Sequence, residues 1–565
     1  MARSRPPKPT TVTITYDLFD LPTAQHKAGL AGLLLQIDSM IDRNPNSLTP
    51  HVLGRTSTTA TIEFTPETVQ SLMDSMYDAK AVEVRVKQKW ANAKETKPSE
   101  EIEEEIEEKG KNGEVKKKKV KTKYFFHEQV QPTGHFLKQY LPAMDPQKDW
   151  HKLWRDMLWA VPRGNPQSRE GFEQRAKGEP CKEGAAAWSD LLKAEAQRRL
   201  NSFQTSAVAG SLWLGAQAVN AEGVAFEGRV EQTLLLHFWP LVAQVFVPAV
   251  LKVERKDGKI EVKSEFVGYV LAIPEVSDLT QFLLDYKVML GQLKPEIRGF
   301  RPAESVIDLP AEGALSFLAH LGTQKAVTSG IRYSVGSVEY LHQVKIGNNI
   351  KTQAAGRVAI HPHLIEDYEL IVAQYANPLF RRGLMIALLD GKPWFQPFGK
   401  MFAEWDVSFF VPTDAPPKLS WFWIDAKAKF QELIKNMPTE PSPGAPKPDA
   451  DDQLMMLIHR ITRTYLAERA KKKSGIDPEK FKDGDKIAWD KLPKDFYDAR
   501  RSAGESLFLE FRSRRDQAFI EHFSQTFFAT KQYVSEDHYT EIGRALLNRT
   551  EDVKTLTLMA LSANS

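Results

Sequence analysis

The chain has 565 residues, with 76 Lys and Arg against 73 Asp and Glu, a formal net charge of +3. That balance excludes a uniformly basic nucleic-acid sponge and confines any such role to local patches. Hydrophobic residues make up 42% and charged residues 26%, which excludes global disorder, collagen and coiled coil and suits about two to four globular domains. The single cysteine, Cys181, excludes a disulfide framework and a cysteine-rich zinc site and fits a reducing compartment.

The N-terminal ten residues carry Arg3, Arg5 and Lys8 among prolines. No apolar run of signal-peptide type follows, so a cytoplasmic location is expected. Val12, Ile14, Tyr16 and Leu18 alternate at strand period, and residues 24–40 form an Ala- and Leu-rich helical run. Short β-type stretches follow at 51–53 and 59–64. Thr65-Pro66-Glu67 is a helix start, with a capping hydroxyl, proline at the first position and an acid in the first turn. Val82, Val84 and Val86 alternate again. The order β-α-β-β-α-β predicts a ferredoxin-like start over residues 1–91.

Residues 92–123 place seven glutamates between Glu100 and Glu108 against Lys116–Lys119, Lys121 and Lys123. With almost no apolar content, this segment is expected to be a charged flexible insertion whose halves neutralise each other. Residues 124–435 continue as mixed α/β. Trp150, Leu153, Trp154 and Met157 form one stripe of a helix over 147–160. Residues 234–251 have the length of a membrane span but are broken by His237, Pro240, Gln244 and Pro248. They are therefore read as buried strands entering a hairpin that turns at Asp257-Gly258, and no membrane is expected. Residues 332–360 read as β structure around Gly347-Asn348-Asn349, and 394–423 as a buried aromatic segment. Five prolines mark 436–452 as an exposed linker. Beyond it, residues 453–565 are helical: Leu454, Leu457, Ile458, Ile461 and Tyr465 share one face, with Arg460 and Arg463 opposite. Leu507, Phe508, Phe511, Phe519, Phe523 and Phe527 give a second long helix an aromatic side. The expected fold class is α+β, a mixed α/β N-terminal region followed by an all-helical C-terminal domain.

Motifs for phosphate loops, dinucleotide binding, zinc peptidases, serine hydrolases and dithiol sites are absent from the sequence. His361-Pro362-His363 lacks a paired carboxylate at ligand spacing. No catalytic residue, cofactor or metal is expected, although groups converging from distant positions would leave no local signature.

Binding chemistry is better represented. Arg163, Asn165, Gln167 and Arg169 sit on a loop stiffened by Pro162, Gly164 and Pro166. Arg matches guanine and Asn or Gln matches adenine bidentately, and all can hold phosphates; the same residues also suit a plain helix connection facing water. A second candidate is the hairpin tip with Asn348, Asn349, Lys351 and Arg357, for which a simple polar loop is the alternative. In the helical domain Arg460, Arg463, Arg500, Arg501, Arg512 and Arg515 are candidate contacts to a heteroduplex or displaced strand, with Arg512 placed to pair internally. From Gln453 onward the sequence has 20 basic and 17 acidic residues, so this field must be one-sided to act.

The opening Thr15-Tyr16-Asp17-Leu18-Phe19-Asp20-Leu21-Pro22-Thr23-Ala24-Gln25-His26-Lys27-Ala28-Gly29-Leu30-Ala31-Gly32-Leu33 resembles the start of Myxan-type large subunits of type I CRISPR effector complexes, known as Cascade. Residues 154–176 and Asn377-Pro378-Leu379-Phe380-Arg381-Arg382 are similar as well. The resemblance implies a subunit beside a guide RNA that recognises the protospacer-adjacent motif in duplex DNA and helps open it. It also implies a helical C-terminal domain, like a small subunit, along the R-loop. The implied partners are the guide RNA, target double-stranded DNA, the backbone, handle-binding and guide-processing subunits, and a downstream nuclease or transposition-recruitment proteins, since related subunits serve transposon-encoded complexes. Two other classes stay open: a nuclease or processing enzyme of the same defence system, and a protein-only scaffold.

Overall fold

A computed structural model describes residues 10–90, 95–109, 115–142, 149–161, 169–198, 205–207, 213–214, 227–256, 259–298, 301–322, 334–346, 349–412, 421–436, 450–483, 486–528 and 536–564. The fold is α+β. It divides into two compact units, Met1–Pro248 with Phe266–Ile360, and Ala249–Glu265 with His361–Ser565.

In the first unit, strand β1 (Val12–Asp17) buries the alternating Val12, Ile14 and Tyr16. Helix α1 (Ala24–Arg43) starts at Thr23, whose side chain accepts from the His26 backbone N–H. The apolar run after it is buried almost throughout, from Ala28 to Met40. Its glycines have a specific purpose. A Cβ at Gly29 would lie 2.2 Å from the Leu235 carbonyl oxygen, and one at Gly32 would lie 2.1 Å from that of Phe238. The helix therefore rests directly on the backbone of 234–241, an approach only glycine permits. Strands β2 (His51–Arg55) and β3 (Thr59–Phe64) follow, giving a sheet ordered β1-β3-β2. Helix α2 (Pro66–Met76) begins with a reciprocal capping box between Thr65 and Thr68.

The β-α-β-β-α-β order is as read, but the fourth strand goes elsewhere. β4 (Ala79–Val86) does not rejoin the first sheet. It pairs with β6 (Val115–Pro132), from Ala79↔Pro132 to Val86↔Phe125. The charged segment differs from expectation in the same way: β5 (Glu100–Lys109) pairs antiparallel with β6 from Glu100↔Tyr124 to Lys109↔Val115. The register sets Glu101, Glu103, Glu105 and Glu107 opposite Lys123, Lys121, Lys119 and Lys117. Cross-strand opposite charges favour pairing, so a composition that argued for disorder instead suits a ribbon. At the ribbon's base the Arg85 guanidinium lies 4.2 Å from the Tyr124 ring centre and the Lys97 ammonium 3.9 Å from that of Phe126.

Helix α3 (Asp149–Ala160) buries Trp150, Leu153, Trp154 and Met157 as predicted. The Trp154 indole donates to the Pro240 carbonyl at 2.8 Å. Residues 234–241 form two 3-10 turns, Leu234–His237 and Trp239–Leu241, rather than strand, because Pro240 suits the start of a turn and cannot donate to a ladder. Strand β7 (Gln244–Lys256) follows and neighbours β8 (Lys259–Phe266) in the sheet, the two arms of the expected hairpin; the turn read at Asp257-Gly258 lies outside the described residues. The first residues of β7 pair with β9 (Tyr269–Val276), which pairs with β10 (Val335–Ile346), which pairs with β11 (Asn349–Ala359). None of the described helices is long and apolar enough to cross a membrane.

The second unit is helical around an aromatic core. Helix α4 (Pro378–Asp390) is capped by Asn377, whose side chain accepts from the Leu379 and Phe380 amides at 2.9 and 3.1 Å. The Asn377 amide itself donates to the buried Asp425 carboxylate at 2.7 Å. Helices α5 (Gln396–Glu404), α6 (Phe422–Asn436), α7 (Ala450–Ser474), α8 (Lys494–Ser513), α9 (Asp516–Phe523) and α10 (Thr550–Asn564) follow. The long aromatic helix expected across 507–527 is interrupted: α8 ends at Ser513, and Arg514 and Arg515 are extended before α9. Phe380, Phe398, Phe402, Phe410, Phe422 and Phe430 share one core with Ile458, Phe508, Phe511, Leu556 and Met559. Besides Ala249–Glu265, the compact unit therefore takes in the chain from His361 onward, not only from 453 after the proline-rich stretch, because aromatic faces on both sides of that stretch bury each other.

Candidate nucleic-acid interface

The loop candidates divide. Arg163, Asn165 and Gln167 lie outside the described residues. Arg169 precedes the helix Glu170–Ala176, and its guanidinium sits 4.5 Å from the Trp159 ring centre. Burial lowers its pKa below the usual range.

At the hairpin tip Asn348 lies outside the described residues, while Asn349 pairs with Ile346 and Lys351 with Val344. Arg357 is six residues farther along β11, about 20 Å from Lys351 at strand rise. Its Nε donates to the Ser337 hydroxyl at 2.6 Å, and its Nη2 pairs with Glu275. Lys27 bonds the other Glu275 oxygen at 2.9 Å. Despite partial burial, these partners hold the Glu275 carboxyl below its usual range. The strand thus separates two residues that the sequence placed in one patch.

The helical unit brings four of its six candidates together. Arg460 and Arg463, both exposed on α7, line a cavity of about 850 Å³ with Met456, His459, Lys471 and Trp489. Arg463, His459 and Trp489 also line a neighbouring chamber of about 520 Å³, joined there by Lys427, Arg500 and Arg501. The Arg463 and Arg500 guanidiniums lie 5.3 and 5.8 Å from the centre of the same Trp489 ring. Burial, and then the Arg463 charge, push the Arg500 pKa down to about 10. Burial does the same to His459, reinforced by both arginines, which brings it to about 4; its ring stacks on Phe430 with 4.4 Å between centres.

Arg512 is elsewhere. Its Nη2 donates to the Ala403 carbonyl at 3.0 Å, the internal pairing anticipated for it, and it lies about 18 Å along the helix axis from Arg500. Arg515 is exposed at the start of α9, away from this groove's lining.

Sequence reading missed Lys427, Trp489 and Tyr497. Trp489 sits on a 3-10 turn, Trp489–Lys491, between two long helices, where a large aromatic among polar residues is the available signal. Lys427 comes from α6, before the proline-rich stretch. Among the described residues no group of three or more His, Cys, Asp or Glu could hold a metal ion.

Comparison with known proteins decides the family. Residues 49–330 match the Type I-B CRISPR Cas8b N-terminal domain, and residues 335–564 match the Type I-B CRISPR Cas8b C-terminal domain. The chain belongs to the Cas8b family. It is a large subunit of a type I-B CRISPR effector complex, a class of assembly that contains other Cas subunits and nucleic acids. Among curated proteins none matches the chain. The boundary between the two Cas8b domain matches, 330 to 335, precedes the β10/β11 hairpin, which packs with the first compact unit.

Proposed function

We propose that this Cas8b chain recognises the protospacer-adjacent motif, helps open the duplex, and holds strand or heteroduplex backbone against its helical unit. The observation that carries the proposal is the convergence of Lys427, Arg463, Arg500 and Arg501 beside Trp489 in the smaller chamber; the adjoining larger cavity adds Arg460 and Lys471, balanced there by Glu468, Asp477, Glu479 and Glu541. A basic groove with an aromatic platform suits single-stranded nucleic acid, with cations tracking phosphates and a ring accepting bases. Arg163, Asn165, Gln167 and Arg169, with Asn348, Asn349, Lys351 and Arg357 as a second set, are proposed as contacts to the motif-bearing duplex. Guide pairing reads most of the target, so a few polar groups on the protein suffice for the short motif.

The proposed partners are the guide RNA, the target duplex, the backbone, handle-binding and guide-processing subunits, and a downstream nuclease or transposition-recruitment protein. A Myxan-type or transposon-associated placement and a cytoplasmic site of action belong to the same proposal. The subunit is proposed to be non-catalytic, leaving bound DNA intact.

The test is target opening by the reconstituted complex. With Arg460, Arg463 and Arg501 all changed to Ala, R-loop formation on motif-bearing DNA should weaken, and the fall of affinity with salt should become shallower. Unchanged opening and an unchanged salt slope would refute the strand-holding role. Magnesium-dependent cleavage by the purified subunit would refute its non-catalytic character.

A further inference from the structure

The chamber beside Trp489 carries more charge than a packing defect needs. Its described lining contains four cations, Lys427, Arg463, Arg500 and Arg501, and one carboxylate, Asp498. Asp498 is taken, since it pairs with Arg501 at 3.2 Å. Neither Arg463 nor Arg500 has a carboxylate partner among the described residues. Among the described residues, the neighbour that accepts from Arg500 is the neutral Asn564 amide, 3.3 Å from its Nη2. The buried Arg500 Nε has no hydrogen-bond partner. A largely buried guanidinium such as that of Arg500, without a counter-ion or a full set of acceptors, is costly. The exposed Arg463 guanidinium on the same indole adds like-charge repulsion. A tetrahedral oxyanion resolves both problems, because it supplies acceptors for Nε and neutralises the pair. The two flanking rings, Trp489 and Tyr497, and a volume of about 520 Å³ leave room for more than an isolated anion.

We propose that this chamber is a one-nucleotide subsite in which Arg463 and Arg500 clamp a single phosphate while the Trp489 ring flanks the attached base. The proposal deepens the strand-holding role and rests on it. The phosphate could arrive within a strand or on a free nucleotide, and the two sources share one chemistry.

The full-length protein would be titrated with a fluorescent single-stranded DNA 12-mer and, separately, with dAMP. Arg463→Ala should weaken whichever probe the wild type binds by at least tenfold. For the 12-mer it should also reduce the salt slope by about 0.7, the value for one lost phosphate contact on a single strand. Arg500→Lys keeps the charge but loses the fork, and should weaken binding severalfold. Lys400→Ala, an exposed position away from the chamber, should change nothing. Loss confined to the 12-mer assigns the phosphate to a strand, and loss for dAMP assigns it to a free nucleotide. If either arginine variant unfolds at lower temperature than wild type, Lys427→Ala on the chamber's lining becomes the readout and must weaken binding. Wild-type affinity in all three folded variants overturns the subsite. Failure of the wild type to bind any strand at low salt overturns instead the strand-holding role on which it rests.

Discussion

The Trp394 indole N–H points at the Met455 sulfur, 2.9 Å away. This contact joins the segment before α5 to the first turns of α7, across the proline-rich stretch. It bears on whether the helical tail is also made separately, since Met437, Met455 and Met456 offer internal starts for a free copy. Starting at Met455 or Met456 would delete the opening turn of α7, and with it Asp451, which pairs with Arg549 at 2.5 Å. If a second species ending at Ser565 accompanies the native complex, it should begin at Met437. Mass spectrometry should show it vanish when the Met437 codon is changed and persist when Met455 and Met456 are changed. Made alone, that tail would expose the faces of Phe508 and α10 that pack on Phe402, Phe410 and Phe422. It should therefore bind a hydrophobic dye more strongly than the full chain does.

Gly29 and Gly32 set a second test. A methyl group at either position meets a backbone carbonyl oxygen at 2.2 or 2.1 Å, and backbone cannot swing away as a side chain can. Gly29→Ala and Gly32→Ala should each destabilise the first unit by roughly 1–3 kcal/mol or more. Gly54→Ala, where nothing lies within 4 Å, should not. Denaturant unfolding followed by intrinsic fluorescence distinguishes them, and equal midpoints for all three variants would contradict the packing described.

Acid should weaken the protein through two buried histidines. Burial lowers His459 and His26 from 6.5 to about 4. Between these values the unfolded chain takes up a proton that the folded chain refuses, so stability rises with pH. The cost is absent above pH 6.5, grows as pH falls, and levels off near pH 4, on the order of 3 kcal/mol per histidine. His459→Phe keeps the stack on Phe430 and removes the titration. Thermal midpoints measured from pH 7 to 4 should fall less steeply in this variant than in wild type. Parallel curves would show that His459 does not couple to folding.

Base reading by the 162–168 loop predicts a different pattern from phosphate holding. Asn165→Ala or Gln167→Ala should cost about 1–3 kcal/mol for the preferred motif alone if the side chain makes a bidentate base contact. Arg163→Ala or Arg169→Ala should weaken all motifs alike. Competition binding against a motif library decides this, and four variants with wild-type affinity and preference would remove the loop from the interface.

Local signals translated well. Alternation at Val12, Ile14 and Tyr16, the Thr65-Pro66 start and the tryptophan stripe of α3 each depend on neighbours within a few residues. The choice of partner did not. β4 reads as the last strand of a ferredoxin-like sheet, yet it pairs with β6, and nothing within 79–86 encodes that choice. Composition also misled at the proline-rich stretch, because a polar linker says nothing about whether the aromatic faces on its two sides meet. The site followed the same rule. Arg460 and Arg463 were legible as outward positions on one helix, while Lys427 and Trp489 join them only through packing of three separate helical segments.

The Glu–Lys ribbon of β5 and β6 has one more consequence. Its teeth are nearly identical, so sliding one strand by two residues would still set many acids against bases. Such a zipper closes strongly but cannot measure its own offset. The offset must be fixed where the sequence stops repeating, at the base, where Val86 meets Phe125 and Arg85 covers Tyr124. A change at Tyr124 would then be felt far out along the ribbon, as a shift of the whole charged arm.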